Sequence, residues 1–480
     1  MEIGQKNFGT KQSKMNVAPL AFVLIALWMF SPDKQLFGVA SLLLIFLAKS
    51  SWRHDEPKII FFGVAFYWMT VCTLMIYGIF FNRPMVELTQ VSSTFIYTSY
   101  LALFSTFIYS YGILYAIKNI EIYNEFQLYK ELEKFDGKKL LLFYSIYSFV
   151  ASVFGGVVLS LGGLSQAGVA LIWVKWAFLT LLIMHTLLFP SNQKWVFIIL
   201  LIEVILSFSG FWSSFKDYLF MAAASFLTFS SRLSVKRVVQ VVALGIVSFF
   251  LMVVWSVVKG EYRAFLTGGE KSQVIATESK TGNLQKLTEL VGEKFNKEHF
   301  DENFSKGVEA LAFRISYTEF FAMAVRQVPD ILPYEEGNLL MAGFEHVFKP
   351  RLFFPDKKNI DDSYLTSKYT GRQFSGADQG VSFSLGLVAE RYIDYGPLFM
   401  FLPIFGFGLM LGYIYKYIIS HSLNRIWGLS FVSPLFFLIP NLGVATTKFL
   451  GWVLTYFIVW FIFNKYLVKR VDKYLRNVSD

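Results

Sequence analysis

Residues 238–263 read VVQVVALGIVSFFLMVVWSVVKGEYR. The part spanning 238–258 carries no charge and is long enough to cross a hydrocarbon core of about 30 Å as one helix. It stops at Lys259-Gly260-Glu261-Tyr262-Arg263, and the chain then stays largely polar to residue 394. Outward from this boundary the same apolar pattern recurs on both sides. The chain is therefore read as membrane-crossing segments around one long polar interruption.

Composition agrees. The 480 residues are 55% hydrophobic and 16% charged, with mean hydropathy +0.49. A water-soluble globule of this make-up would expose too much apolar surface. Cys72 is the only cysteine and lies in an apolar run, which excludes a disulfide framework and a thiolate metal site. His54, His185, His299, His346 and His421 show no ligand spacing, so no metal and no dissociable cofactor is expected. No nucleic-acid partner is expected either.

The fold expected is all-α and polytopic, with about 12 transmembrane helices. The windows fall at 16–30, 36–48, 59–81, 94–117, 140–161, 169–189, 195–211, 218–229 and 238–258, then 395–419, 426–439 and 449–468. This divides the chain into an N-terminal bundle of about nine spans (1–258), one large outward helical loop (259–394), and a C-terminal bundle of about three spans with a basic tail (395–480).

Orientation follows from the short loops, because Lys and Arg accumulate on the cytoplasmic side. Lys6, Lys11 and Lys14 precede the first window, Lys49, Arg53 and Lys58 follow the second, Arg232, Lys236 and Arg237 follow the eighth, and Lys465, Lys469, Arg470, Lys473 and Arg476 flank the end of the last. Both termini are thus expected inside and the loop outside a cytoplasmic membrane. The loop holds 17 Lys and Arg against 20 Asp and Glu, while the rest of the chain is strongly basic. Residues 121–139 read as a cytoplasmic interfacial helix.

Within the loop, 268–307 is a solvated helical or partly disordered excursion, and 308–328 an amphipathic helix on the bilayer interrupted by Arg314, Glu319 and Arg326. Residues 339–347 repeat that pattern on a smaller scale. Next comes a basic-aromatic turn bracketed by prolines, KPRLFFPDK at 349–357. Downstream, GVSFSLGLVAERY at 380–392 leads to Tyr395-Gly396-Pro397 and a span with Gly406, Gly408 and Gly412.

These motifs resemble the Wzy-type oligosaccharide repeat-unit polymerases of O-antigen and capsular polysaccharide, in which a "PR…P-K" turn precedes a "G-S-S…G-E-Y…G…G" stretch entering the next span. The likeness covers residues 314–412. Some relatives carry a Ser-Gly-Ser-Arg turn before a span; the matching piece at 209–216, SGFWSSFK, has Lys216 in place of Arg.

The resemblance implies a membrane glycosyltransferase of the bacterial inner membrane that joins repeat units carried on a polyprenyl diphosphate such as undecaprenyl diphosphate. The product would be lipopolysaccharide or capsule glycan, made on the periplasmic face. Its partners would be lipid-linked oligosaccharide as donor and acceptor, membrane lipids, a chain-length regulator and a flippase. Such chemistry needs cations for the diphosphate and a base for the attacking hydroxyl.

The cations expected are Arg351, Arg314, Arg263, Lys216, Arg372 and Arg391, because an Arg fork pairs two phosphate oxygens. For each there is a structural alternative, such as snorkelling to lipid phosphate for Arg351 or pairing with Glu390 for Arg391. The expected base is Glu390, with His346 competing. Lys175 and Glu203, inside apolar runs, either pair or line a cleft. An O-antigen ligase and a lipid-oligosaccharide flippase are the alternative functions; the flippase would show internal repeats, and none is visible.

Overall fold

The computed structural model describes residues 16–53, 56–121, 125–158, 165–209, 215–228, 235–270, 279–349, 354, 357, 361–376 and 381–476. Before the polar interruption run α1 (Ala18–Phe30), α2 (Lys34–Ser51), α3 (Ile59–Phe81), α4 (Met85–Leu88), α5 (Ser92–Ile117), α6 (Glu125–Glu133), α7 (Gly137–Val158), α8 (Ser165–Leu188), α9 (Gln193–Ser207), α10 (Phe215–Phe226) and α11 (Val235–Leu266). The interruption holds α12 (Lys280–Lys294), α13 (Phe300–Ile315), α14 (Thr318–Gln327), α15 (Asn338–Phe348) and α16 (Asp362–Thr370). After it come α17 (Leu387–Phe399), α18 (Phe401–His421), α19 (Arg425–Val432), α20 (Thr446–Tyr466) and α21 (Val468–Leu475).

Among the described residues eight helices are long and apolar enough to cross a membrane: α2, α3, α5, Leu171–Leu188 of α8, Pro190–Ser207, Val238–Leu266 of α11, α18 and α20. Shorter apolar helices are α1 and Arg425–Phe437. Large apolar side chains such as Phe22, Phe149, Phe197, Ile246 and Leu402 remain exposed, as expected where lipid is the solvent.

Among the described residues α5 and α18 share the most extensive contact of any helix pair. A Cβ on Gly408 would lie 2.2 Å from the Tyr109 carbonyl oxygen, and one on Gly412 would lie 2.6 Å from that of Ile113. On the facing helix, Gly112 meets the Phe405 carbonyl oxygen in the same way, at 2.7 Å. Small residues spaced four apart let the backbones touch, the usual basis of helix association in lipid.

The crossing that begins with α19 is discontinuous. It passes into a tight 3-10 turn at Ser433–Phe437 and another at Asn441–Gly443, around Pro434 and Pro440. Carbonyls along this stretch find partners inside the protein: Tyr456 OH donates to Phe431 O at 2.5 Å and Tyr109 OH to Ile439 O at 3.0 Å.

The helices of the interruption cap one end of the bundle. Phe313 meets Tyr77 near the end of α3, Thr94 at the start of α5 donates to Ala322 O at 2.8 Å, and Asn283 donates to Ser209 O just after α9 at 3.3 Å. Residues 308–328 are two helices, not one, broken at Ser316 and Tyr317. The break turns α14 so that Glu319 accepts from Thr89 Oγ1 at 2.7 Å and Gln90 N at 2.9 Å, which satisfies an acid on an apolar helix. Residues 280–294 are helical.

At the opposite end Glu56 is buried and binds Arg53 at 2.5 Å, Tyr415 OH at 3.2 Å and Arg425, while Trp427 donates to Asp472 at 2.8 Å. Between the ends, Lys175 donates to Tyr218 OH at 2.7 Å, which donates to Glu203 at 2.6 Å; Ser148 also donates to Glu203. Tyr218 thus bridges the two charges found in apolar runs.

The α5–α18 contact yields a paired test. Gly408→Ala should lower stability in detergent by about 1–3 kcal/mol through overpacking. Gly406→Ala, with nothing within 4 Å of its added carbon, should not. Equal melting temperatures for the two variants would refute this packing.

Candidate functional site

Lys259 and Arg263 stand one turn apart on α11, and Arg314 is in the last turn of α13. The helices lie close because Gly307 faces Val253: a Cβ there would be 2.8 Å from Val253 Cγ1 and 2.9 Å from its carbonyl oxygen. One turn earlier, the rings of Phe250 and Phe304 stack at 6.3 Å. This docking carries Arg314 to the α11 cations, so that each of the three feels the charge of at least one other. Among the described residues no carboxylate pairs with Lys259 or Arg314. Glu261, between the two α11 cations in sequence, is engaged by Lys294 at 2.7 Å.

Like charges held close together favour an anion beside them. Arg263 and Arg314 were expected here from sequence. Lys259 was not, although its spacing of four from Arg263 puts both on one helix face.

Beyond Arg314 the chain turns through Ser316 into Tyr317 and Thr318, which help line a cleft between α3, α5, α14 and the start of α17. Its far wall includes Val388 and Ala389, so Glu390 follows directly in sequence. Gly386, with φ 96, precedes α17 in a conformation that favours glycine, and a Cβ there would lie 3.1 Å from the Leu442 carbonyl oxygen.

Glu390, Arg391 and Asp394 form a buried clamp. Thr446 N donates to Glu390 Oε2 at 3.0 Å, and its hydroxyl donates to the same oxygen, so Glu390 caps α20. Asp394 accepts from Leu339 N at 2.9 Å and Leu340 N at 3.0 Å, capping α15. Arg391 lies 3.2 Å from Asp394 and 3.6 Å from Glu390, with its side chain wholly buried.

Burial pushes the Glu390 and Asp394 carboxyls above their ordinary range, against the pull of Arg391, and pushes the Arg391 guanidinium down. A raised carboxyl means the fold favours its neutral form. Stability linked to Glu390 is therefore greatest at low pH and declines as pH rises through its folded pKa.

The other expected residues are dispersed. Arg391, expected as a diphosphate cation, faces Glu390 and Asp394 through Nη2 and is wholly buried. Lys216 is exposed in the first turn of α10 beside Asp217, and Arg372 is exposed and bonded to Gln90. His346 is half-buried on α15, its carbonyl accepting from Lys357. Arg351 lies outside the described residues.

The pattern of the family described as a domain of unknown function, DUF8712, matches residues 58–428. The chain belongs to that family. No curated protein and no solved structure matches it. The DUF8712 region runs from the start of α3 into α19, so it contains the cation cluster, most of the cleft wall, and Glu390, Arg391 and Asp394. Thr446, which completes the clamp, lies beyond it.

Removing the clamp's cation should be severe. Arg391→Gln leaves two buried carboxylates without their counter-charge and should cost about 3–5 kcal/mol. Thermal melting of the purified protein checks this, and an unchanged midpoint would show that the carboxylates do not depend on Arg391.

Proposed function

We propose that this DUF8712 protein is a Wzy-type polymerase: a membrane glycosyltransferase that joins polyprenyl-diphosphate-linked repeat units outside the cytoplasmic membrane. The observation that carries the reading is the cluster of Lys259, Arg263 and Arg314 at the capped end of the bundle, with no carboxylate among the described residues pairing with Lys259 or Arg314. Eight long apolar helices are candidate crossings, and on our reading α1, α7, α10 and Arg425–Phe437 bring the number to about twelve. The basic short loops then put both termini in the cytoplasm and the cap outside.

In the reaction, the acceptor sugar's hydroxyl oxygen forms a bond to the anomeric carbon of the donor. The bond from that carbon to the diphosphate oxygen breaks, and its electron pair leaves with the diphosphate lipid. The hydroxyl proton passes to a base. The cations hold the diphosphate and take up the charge it gains, with Arg351 as a further contributor. Glu390 is our candidate base. It follows the cleft-lining Val388 and Ala389 in sequence, is oriented by Thr446, and has a carboxyl raised by burial, which favours taking up a proton. His346 competes for that task.

A transporter is the second reading, favoured by the discontinuous crossing after α19 and the break in α17 at Gly396-Pro397.

Surface glycan from cells lacking the gene, displayed by size, separates these readings. A polymerase leaves single repeats attached and removes the ladder; a ligase or flippase removes all attached repeats. In membranes supplied with lipid-linked repeat, Arg314→Ala should slow extension roughly 100- to 1000-fold, with partial recovery in Arg314→Lys. Glu390→Gln should slow it by a factor on the order of 100 or more and flatten the acid limb of the rate profile, since the wild-type rate falls as pH drops through the Glu390 pKa. Normal ladders from both Ala and Gln variants would defeat the proposal.

A further inference from the structure

Along α5 a row of rings runs through the depth of the bundle. Phe104, Phe107, Tyr111 and Tyr115 follow one another with centroids 6.1, 6.2 and 6.4 Å apart. Steps of three and four residues keep them on one face, and Phe104, Tyr111 and Tyr115 are exposed. Rings of both neighbouring helices reach this strip: Phe46 of α2 lies 5.3 Å from Phe107, and Phe405 of α18 lies 6.2 Å from Tyr111. Membrane aromatics ordinarily gather in belts at the two bilayer surfaces. This strip instead follows the helix from 104 to 115, about 16 Å, which is the depth of one leaflet's hydrocarbon.

The strip ends in cations, at the end of the bundle opposite the cap. Lys118 is exposed one turn beyond Tyr115, its Nζ 4.2 Å from that ring's centroid. Gly412 fits against Ile113 and Ala116, so Lys416, one turn further along α18, comes level with the end of α5. It follows Phe405 by roughly three turns, which returns it to the face carrying that ring. Lys49 stands exposed one turn beyond Phe46 on α2. Among the described residues no carboxylate is paired with any of the three, although Glu121 follows Lys118 closely in sequence.

We propose that this strip binds one anionic phospholipid of the leaflet opposite the cap, with its phosphate on Lys118 and Lys416 and an acyl chain along the rings. Cations closing one end of an apolar path between helices fix where the head lies, and they favour a lipid of net negative charge over a zwitterionic one. The length of the strip suits a single chain, and its ring faces offer dispersion contacts to methylene groups. A second copy of this chain, related by a twofold axis along the membrane normal, would set Lys118 and Lys416 near their own counterparts, and like-charge repulsion disfavours it. The assignment is independent of the reaction proposed above.

The test uses the purified, delipidated full chain in detergent, given equal amounts of phosphatidylglycerol and phosphatidylcholine with identical acyl chains; native mass spectrometry counts the lipid retained. The wild type should keep phosphatidylglycerol over phosphatidylcholine by about fivefold or more, and Lys118→Gln and Lys416→Gln should each lower that preference roughly three- to fivefold. Tyr111→Ala touches the chain and not the head, so it should reduce retention of both lipids alike and leave the preference in place. As a control, Lys469→Gln together with Lys473→Gln alters exposed cations of α21 at the same end and should leave the preference unchanged. Melting midpoints in phosphatidylcholine alone verify that each variant is folded. Equal retention of the two lipids by the wild type would overturn the assignment. So would a loss of preference in the α21 variant as large as in the Lys118 and Lys416 variants, since the effect would then belong to the basic surface in general, and unchanged retention in Tyr111→Ala would remove the rings from the site.

Discussion

In hydrocarbon a backbone N–H or C=O finds no water, so each must be satisfied inside the protein. That constraint explains why the regular elements among the described residues are helices, and it decides where helices can break. The crossing that begins with α19 loses its helical ladder around Pro434 and Pro440, and it lies where Tyr109 and Tyr456 can reach its carbonyls. The α5–α18 contact works with it: glycine faces bring the two backbones together and help fix the position from which Tyr109 reaches Ile439.

The same accounting applies to charge. Lys175 and Glu203 are joined through Tyr218, Glu56 is surrounded by Arg53, Arg425 and Tyr415, and Arg391 stands between two carboxylates that each cap a neighbouring helix. Against these settled arrangements, Lys259 and Arg314 are cations brought near cations. A group left unsettled where others are neutralised is a candidate for a ligand of opposite charge.

Much of the bundle is legible in sequence because hydropathy reports burial in lipid directly. The window at 59–81 coincides with α3, which begins after Pro57-Lys58 and ends at Asn82 in a left-handed conformation. The windows miss what depends on distant partners. The break at Ser316 answers to Thr89 and Gln90, more than two hundred residues away, and the window at 395–419 misses that helix starts at Leu387 and breaks at Gly396. The site follows the same rule. Arg263 and Arg314 stand out as charges at apolar boundaries, but that they meet depends on Gly307 fitting Val253, and that Arg391 is enclosed depends on Asp394 and Thr446.

The most direct test of the central claim is stoichiometry. Full-length protein in lipid nanodiscs, supplied with a synthetic polyprenyl-diphosphate repeat unit, is followed for glycan length and for free polyprenyl diphosphate in the same sample. The account predicts one diphosphate lipid released for each repeat added to a chain. Consumption or translocation of the lipid-linked repeat without diphosphate release would contradict it.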